Sequence, residues 1–153
     1  MTRTLILEHT YPADPDRLFD LVTDLDTLDA VTRPWLLFEH LPSGQVHTGQ
    51  VFDVGISLFG ILPERPYRME VTLCDTEARC MVSEENGFSV RKLVHRLEVQ
   101  PDPAGALLTD RIEIDAGWFT HAVAGWIRLT HVWRHRIRLK LLRQQRPREN
   151  SPS

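Results

Sequence analysis

Three side chains in this sequence are placed so that they can move protons or hold charge inside a fold. His95 lies in the run Val94-His-Arg-Leu-Glu-Val99 and shares strand parity with Leu93, Leu97 and Val99. Alternate residues of an extended chain point the same way, so His95 turns with those apolar side chains toward a core. Asp110 shares parity with Leu108 and Ile112. An inward histidine beside an inward acid can act as a general acid/base pair, or it can be a hydrogen-bonded pair that only satisfies itself in a core. Arg91 has the parity of Leu93, but a bulge ahead of Leu93 would turn it out, because Phe88 and Val90 have the opposite parity. Glu113 and Asp115 fall on the outer parity and are expected in water.

Other constellations point to less. His47, near a strand start, reads as a surface residue. His131 and His135 stand four apart and can hold a metal only with further ligands, yet they sit among Arg128, Arg134 and Arg138 with no acid nearby. No metal site is expected. There is no Gly-rich phosphate loop, H-E-x-x-H run, nucleophile elbow or Cys/His zinc spacing, and no cofactor is expected. Cys74 and Cys80 flank Asp75-Thr-Glu-Ala-Arg79, which reads as a hairpin loop. Two thiols are no disulfide framework, and they are expected free in a cytoplasmic protein.

The elements that must carry these residues follow from periodicity. Thr4–Tyr11 reads as a strand. Asp14 is a good N-cap and Pro15 fits the first helical position, predicting a helix over about 15–24. Asp24 or Asp26 can cap a second short helix through Val31, stopped by Arg33-Pro34. Trp35–Leu41 is the next strand. Val46–Leu58 alternates, with Phe52, Val54, Ile56 and Leu58 on one face. Tyr67, Met69, Val71 and Leu73 alternate with polar residues in another. Cys80–Glu84 and Phe88–Gln100 follow, joined by Glu85-Asn-Gly87, a strong turn signal. Leu107–Ala116 closes the sheet, with Leu108, Ile112 and Ile114 on one face. From about Trp118 to Gln145 one long helix is predicted. Phe119, Val123, Trp126, Thr130, Trp133, Ile137 and Leu141 make its apolar stripe, and His121, Arg128, His131, His135 and Arg138 lie mostly opposite.

Length and composition predict one domain over 1–146, with a frayed tail over 147–153 and no membrane span. Net charge is −3, but residues 128–153 carry +7 against −10 for residues 1–127. The basic helix is either a solvated outer face or a docking element for an acidic protein or an anionic membrane, and the solvated face is favoured. Nucleic-acid binding is not expected, because the chain as a whole is acidic and its basic residues lack interleaved exposed aromatics. A monomer and a homodimer are both compatible with this sequence.

These elements predict an α+β fold: a curved seven-stranded antiparallel sheet, in the order β-α-α-β6-α, wrapped around the C-terminal helix. A twisted sheet over one helix does not fill completely, and gaps of that kind hold ligands. The order of elements and several motifs resemble the START-like (SRPBCC) superfamily with the helix-grip fold, most nearly its small bacterial stand-alone ligand-binding members of polyketide cyclase/dehydrase type. The motifs are Pro12-Ala-Asp-Pro-Asp-Arg-Leu-Phe19, Thr32-Arg-Pro-Trp35, Val94–Val99, Leu108-Thr-Asp110 and Trp133-Arg-His-Arg136. The chain departs from the family at Arg91-Lys-Leu93, where an aromatic is common, and at Gly117-Trp118, where proline is common. The resemblance implies a cavity for a small hydrophobic ligand that is lipid-, polyketide- or aromatic-like. It implies no particular reaction, and no catalytic residue is assigned from it. The residues expected to line that cavity are Trp35, Phe52, Val54, Ile56, Met69, Val71, Arg91, Leu93, His95, Asp110, Ile112, Phe119, Val123 and Trp126. Trp35 is expected as a lid or as ordinary packing. The alternatives are an enzyme of cyclase or dehydratase type using His95 with Asp110 or Arg91, and a docking protein acting through the basic helix.

Overall fold

The computed structural model describes residues 2–144; the expected tail over 147–153 lies outside the described residues. The chain opens with strand β1 (Arg3–Tyr11), then helices α1 (Pro15–Val22) and α2 (Leu25–Thr32). Strands β2 (Leu36–Glu39), β3 (Val51–Leu58), β4 (Arg65–Asp75), β5 (Cys80–Gly87), β6 (Val90–Asp102) and β7 (Gly105–Asp115) follow. A 3-10 turn over Gly117–Phe119 leads into α3 (Thr120–Gln144). The sheet has the order β1-β7-β6-β5-β4-β3-β2, antiparallel throughout. Only β1 leaves sequence order, so α1 and α2 must carry the chain from one sheet edge to the other. This is the helix-grip architecture.

Local chemistry sets the helix starts. The Asp14 carboxylate accepts from the amides of Asp16 and Arg17, with Pro15 where no amide partner is needed. Asp24 accepts from Thr27 N at 2.9 Å and starts α2. The indole of Trp133 donates to Arg33 O at 2.8 Å and ties α3 to the end of α2.

Two irregularities re-aim side chains. In β4 the register passes from Val71↔Ser83 to Leu73↔Val82, so Thr72 is an extra residue. Leu73, expected on the inner face with Tyr67, Met69 and Val71, therefore turns to solvent, and Cys74 packs inward instead. The β5–β6 turn also differs from expectation. Glu85-Asn-Gly87 stays in β5, and the two-residue loop is Phe88-Ser89, both at positive φ (52° and 75°). Those signs are the ones a tight hairpin needs at its two central positions, and the Gly87 φ of 124° feeds the chain into it.

The buried apolar residues form three clusters rather than one. One gathers Tyr11, Leu18, Phe19, Leu97 and Leu108 under α1. A second joins Leu5, Leu93, Ile112 and Ile114 to Ala124 of α3. The third sets Phe52, Val54, Ile56, Met69 and Val71 against Leu25 of α2. A filled domain of this size has one contiguous core. The separation marks where the space lies.

Candidate functional site

That space is a cavity of about 490 Å³ between the sheet and α3. Its sheet wall is built from alternate inward residues: Phe52 and Ile56 of β3, Met69 and Val71 of β4, Met81 of β5, Leu93 and Leu97 of β6, and Ile112 of β7. Leu25 and Leu28 of α2, Leu36 and Phe38 of β2, and Val123, Trp126 and Ile127 of α3 close the rest. Antiparallel pairing puts the β3–β4 connection, the β5–β6 turn and the β7–α3 link at one end of the sheet. From these three links Phe59, Phe88 and Phe119 reach the cavity. Phe119 is 62% exposed and its neighbour Trp118 is 98% exposed.

One stretch of the wall is polar. His95 Nε2 donates to Asp110 Oδ1 at 2.7 Å. Asp110 is completely buried, while His95 opens onto the cavity. His131 of α3 faces this pair; its Nδ1 donates to Ile127 O at 2.9 Å, which leaves Nε2 as a lone pair, buried and without a partner. Arg134 and Arg138 continue the same face of α3 and line the cavity. On the sheet, Tyr67 OH donates to Glu85 Oε2 at 2.7 Å and Ser83 Oγ to Glu85 Oε1 at 2.9 Å. At the rear, His135 stacks on His9 with centroids 4.6 Å apart and meets Tyr11 edge-on.

Burial alone would raise the Asp110 pKa, but the His95 hydrogen bond and the charges of His95, His131 and Arg138 hold it well below the usual carboxylate range. Burial, reinforced by Arg134, pushes His131 well below the ordinary imidazole value. Burial also lowers His9 and His135. Burial and the like charge of Arg138 bring the Arg134 guanidinium down to about 10. Burial, then Glu85, raises the Tyr67 phenol.

These directions give a pH dependence. His131 folds in its neutral form, whereas the unfolded chain takes up a proton near pH ~6.5. The unfolded state therefore binds more protons below that pH, so stability is fully present above it and falls as pH drops through it. The melting temperature is expected to decline from pH 6.5 to 5. His131→Gln should reduce the slope by up to one proton, ~1.4 kcal/mol per pH unit. An unchanged slope would contradict the buried neutral imidazole.

Among the residues expected from the sequence, Phe52, Ile56, Met69, Val71, Leu93, His95, Ile112, Phe119, Val123 and Trp126 line the cavity. Four do not. Val54 is buried in the cluster under α2. Asp110 stands behind His95. Trp35 packs edge-on against Trp126 and Trp133 and near Phe59, outside the lining. Arg91 is exposed, its guanidinium close to Gly117, because β6 carries one extra residue between the pairs Glu85↔Leu93 and Gly87↔Val90, the bulge that the parity of Phe88 and Val90 allowed for.

The larger correction concerns α3. His131 and Arg138 are buried and His135 is half-buried, not opposite the sheet. The central inward line is Thr120, Ala124, Ile127, His131, Arg134, Arg138 and Leu142, one residue on from the expected stripe. One residue is a rotation of about 100°. The aromatic set is displaced toward α2, where Trp126 and Trp133 meet Trp35. Sequence reading thus missed His131, Arg134, Arg138, Tyr67 and Glu85 as lining residues, although the first three recur at spacings of three and four. His131 also has an acid beside it: the ligand atoms of His95, Asp110 and His131 lie within 4.8 Å of one another. The cluster could take a metal ion, but Arg134 and Arg138 put two positive charges next to it, which oppose a dication.

The family model for polyketide cyclase / dehydrase and lipid transport matches residues 4–131. Solved structures of the same fold include the Zhui aromatase/cyclase from a Streptomyces species, with 14% identity, TM-score 0.74 and 99% of this chain and 100% of that one covered. A protein from Rhodobacter sphaeroides aligns at 15% identity and TM-score 0.75, covering 92% and 93%. The ginseng major latex-like protein from Panax ginseng aligns at 16% and 0.53, covering 74% and 79%. No curated protein matches the chain in sequence.

Proposed function

From the premise that the chain belongs to the polyketide cyclase / dehydrase and lipid transport family, we propose that it encloses one small hydrophobic molecule between its sheet and α3 and acts as a carrier or receptor for it. The observation that carries this reading is the cavity of about 490 Å³, walled mostly by apolar side chains. A space of that size falls in the range that takes a small organic ligand. It lies where three separate apolar clusters would otherwise have merged, so the packing that a filled core would gain has been given up there.

The test is titration with N-phenyl-1-naphthylamine, a neutral fluorophore that brightens in apolar surroundings, after apolar contaminants have been stripped from the protein. Saturable, one-to-one enhancement is expected. Enhancement no greater than that on a denatured control would remove the reading.

A second reading, an enzyme of cyclase or dehydratase type, is favoured by the 2.7 Å contact of His95 with Asp110. A buried acid that fixes the ring and one edge of the imidazole facing a mostly apolar cavity are what a general acid/base needs. Arg91, considered for this role from the sequence, has no part in it because it is exposed. In that case His95→Gln abolishes turnover of a cyclising or dehydrating substrate; unchanged turnover removes His95 from the reaction. No helix among the described residues is long and apolar enough to cross a membrane. Docking through α3 loses ground because Arg134 and Arg138 are turned to the cavity rather than offered to a partner.

A further inference from the structure

Arginine is rarely buried without an acid to hold it, because the cost of stripping water from a guanidinium is recovered only through charge-assisted hydrogen bonds. Arg138 is 5% exposed; its Nε is buried with no partner, and its guanidinium lies beside the neutral Tyr11 hydroxyl rather than an acid. Arg134 is partly exposed as a residue, yet its Nε is likewise buried and unpartnered. Among the described residues neither forms an ion pair. Of the nearby acids, Glu85 accepts from Tyr67 and Ser83, and Asp110 accepts from His95 through Oδ1 while its buried Oδ2 has no partner; neither is hydrogen-bonded to Arg134 or Arg138. Both arginines line the same cavity from one face of α3.

We infer that Arg134 and Arg138 form the head-group subsite of this cavity and select ligands that carry a carboxylate, whose apolar body lies against β3, β4 and α2. The inference rests on the cavity-binding reading above and names the substrate class of that same site. Several observations point to a carboxylate. The uncommitted groups on the two arginines are N–H donors, so the missing partner is an acceptor. A guanidinium is a planar fork that a carboxylate meets with two parallel hydrogen bonds. Glu85 and Asp110 already offset the two positive charges in this neighbourhood, which suits a single added negative charge better than the double charge of a phosphate monoester. The polar stretch and the apolar wall from Phe52 to Val71 also occupy different parts of one space, so an amphipathic molecule satisfies both at once.

The experiment is displacement of N-phenyl-1-naphthylamine by decanoate, decanol and decylamine, which share a chain and differ in head group. For the unaltered protein, decanoate is expected to reach half-displacement at a concentration roughly tenfold or more below decanol, with decylamine weakest. In Arg134→Met, and independently in Arg138→Met, the decanol-to-decanoate ratio, read within each variant, is expected to fall toward one. Arg134→Met should also melt no lower than the parent, because it relieves the desolvation of a guanidinium whose Nε has no hydrogen-bond partner. Equal displacement by decanoate and decanol in the unaltered protein overturns the inference and leaves the cavity reading standing. A ratio that survives both substitutions overturns it too. Failure of the fluorophore to bind at all removes the cavity reading and the inference with it.

Discussion

Asp110→Ala is expected to cost about 1.5–3 kcal/mol of folding stability, the range for losing a hydrogen bond to a buried charged group. Among the described residues Asp110 is the only carboxylate that reaches His95, and from β7 it faces the side of α3 that carries His131 and Arg138. Its removal takes one of the two acids that offset the cationic groups of α3 and leaves Glu85 as the other. It also frees His95 to leave its orientation, since no other hydrogen bond to the ring is present among the described residues. Asp110→Asn keeps an oxygen for His95 to bond and removes only the charge, so its loss should be smaller. Urea denaturation at pH 7 measures both. A loss under about 1 kcal/mol for the alanine variant would place the pair among ordinary exposed contacts and deny it any role in shaping the cavity.

Val123→Trp is the second large effect. Val123 sits on α3, half-buried, with its side chain on the cavity wall between Phe119 and Ile127. A side chain added inside a packed core forces strain, but an indole entering an empty space adds contacts instead. The expected result is a melting temperature equal to or above that of the parent. With it should come a loss of fluorophore affinity of roughly tenfold or more, ~1.4 kcal/mol or above. Val132→Trp, on the outward face of the same helix where Val132 is 49% exposed, is the control and should change neither. If Val123→Trp melts well below the parent, the site is packed and the cavity is not open to a ligand.

Much of the fold could be read from residues that obey local rules. Asp14-Pro15 and Asp24 start the two short helices because capping needs only nearby atoms. Phe52, Val54 and Ile56 alternate cleanly because β3 has water on one side and the cavity or core on the other. His95 and Asp110 were legible as an inward pair by parity alone, since no bulge falls between Leu93 and Ile112 on either strand. What escaped reading depends on distant partners. The extra Thr72 in β4 leaves no pattern in sequence, whereas the extra residue before Leu93 in β6 shows only as the parity change between Val90 and Leu93; each reverses the side chains next to it.

The phase of α3 was missed by one residue for a more interesting reason. Periodicity assigns the apolar stripe to the core, and here the most deeply inward line carries His131, Arg134 and Arg138. A helix that faces a cavity rather than a filled core places polar residues inward wherever a ligand is to meet them, and that reverses the signal. The misreading and the proposed head-group subsite therefore have the same physical origin.

Native mass spectrometry of the purified protein, followed by extraction and identification of whatever travels with it, decides whether the space between sheet and α3 holds a small hydrophobic molecule. A single added mass is expected, which extraction releases as an acyl or aromatic carboxylic acid. A bare protein mass, together with no rise in melting temperature across a panel of such acids at high excess, would contradict that expectation.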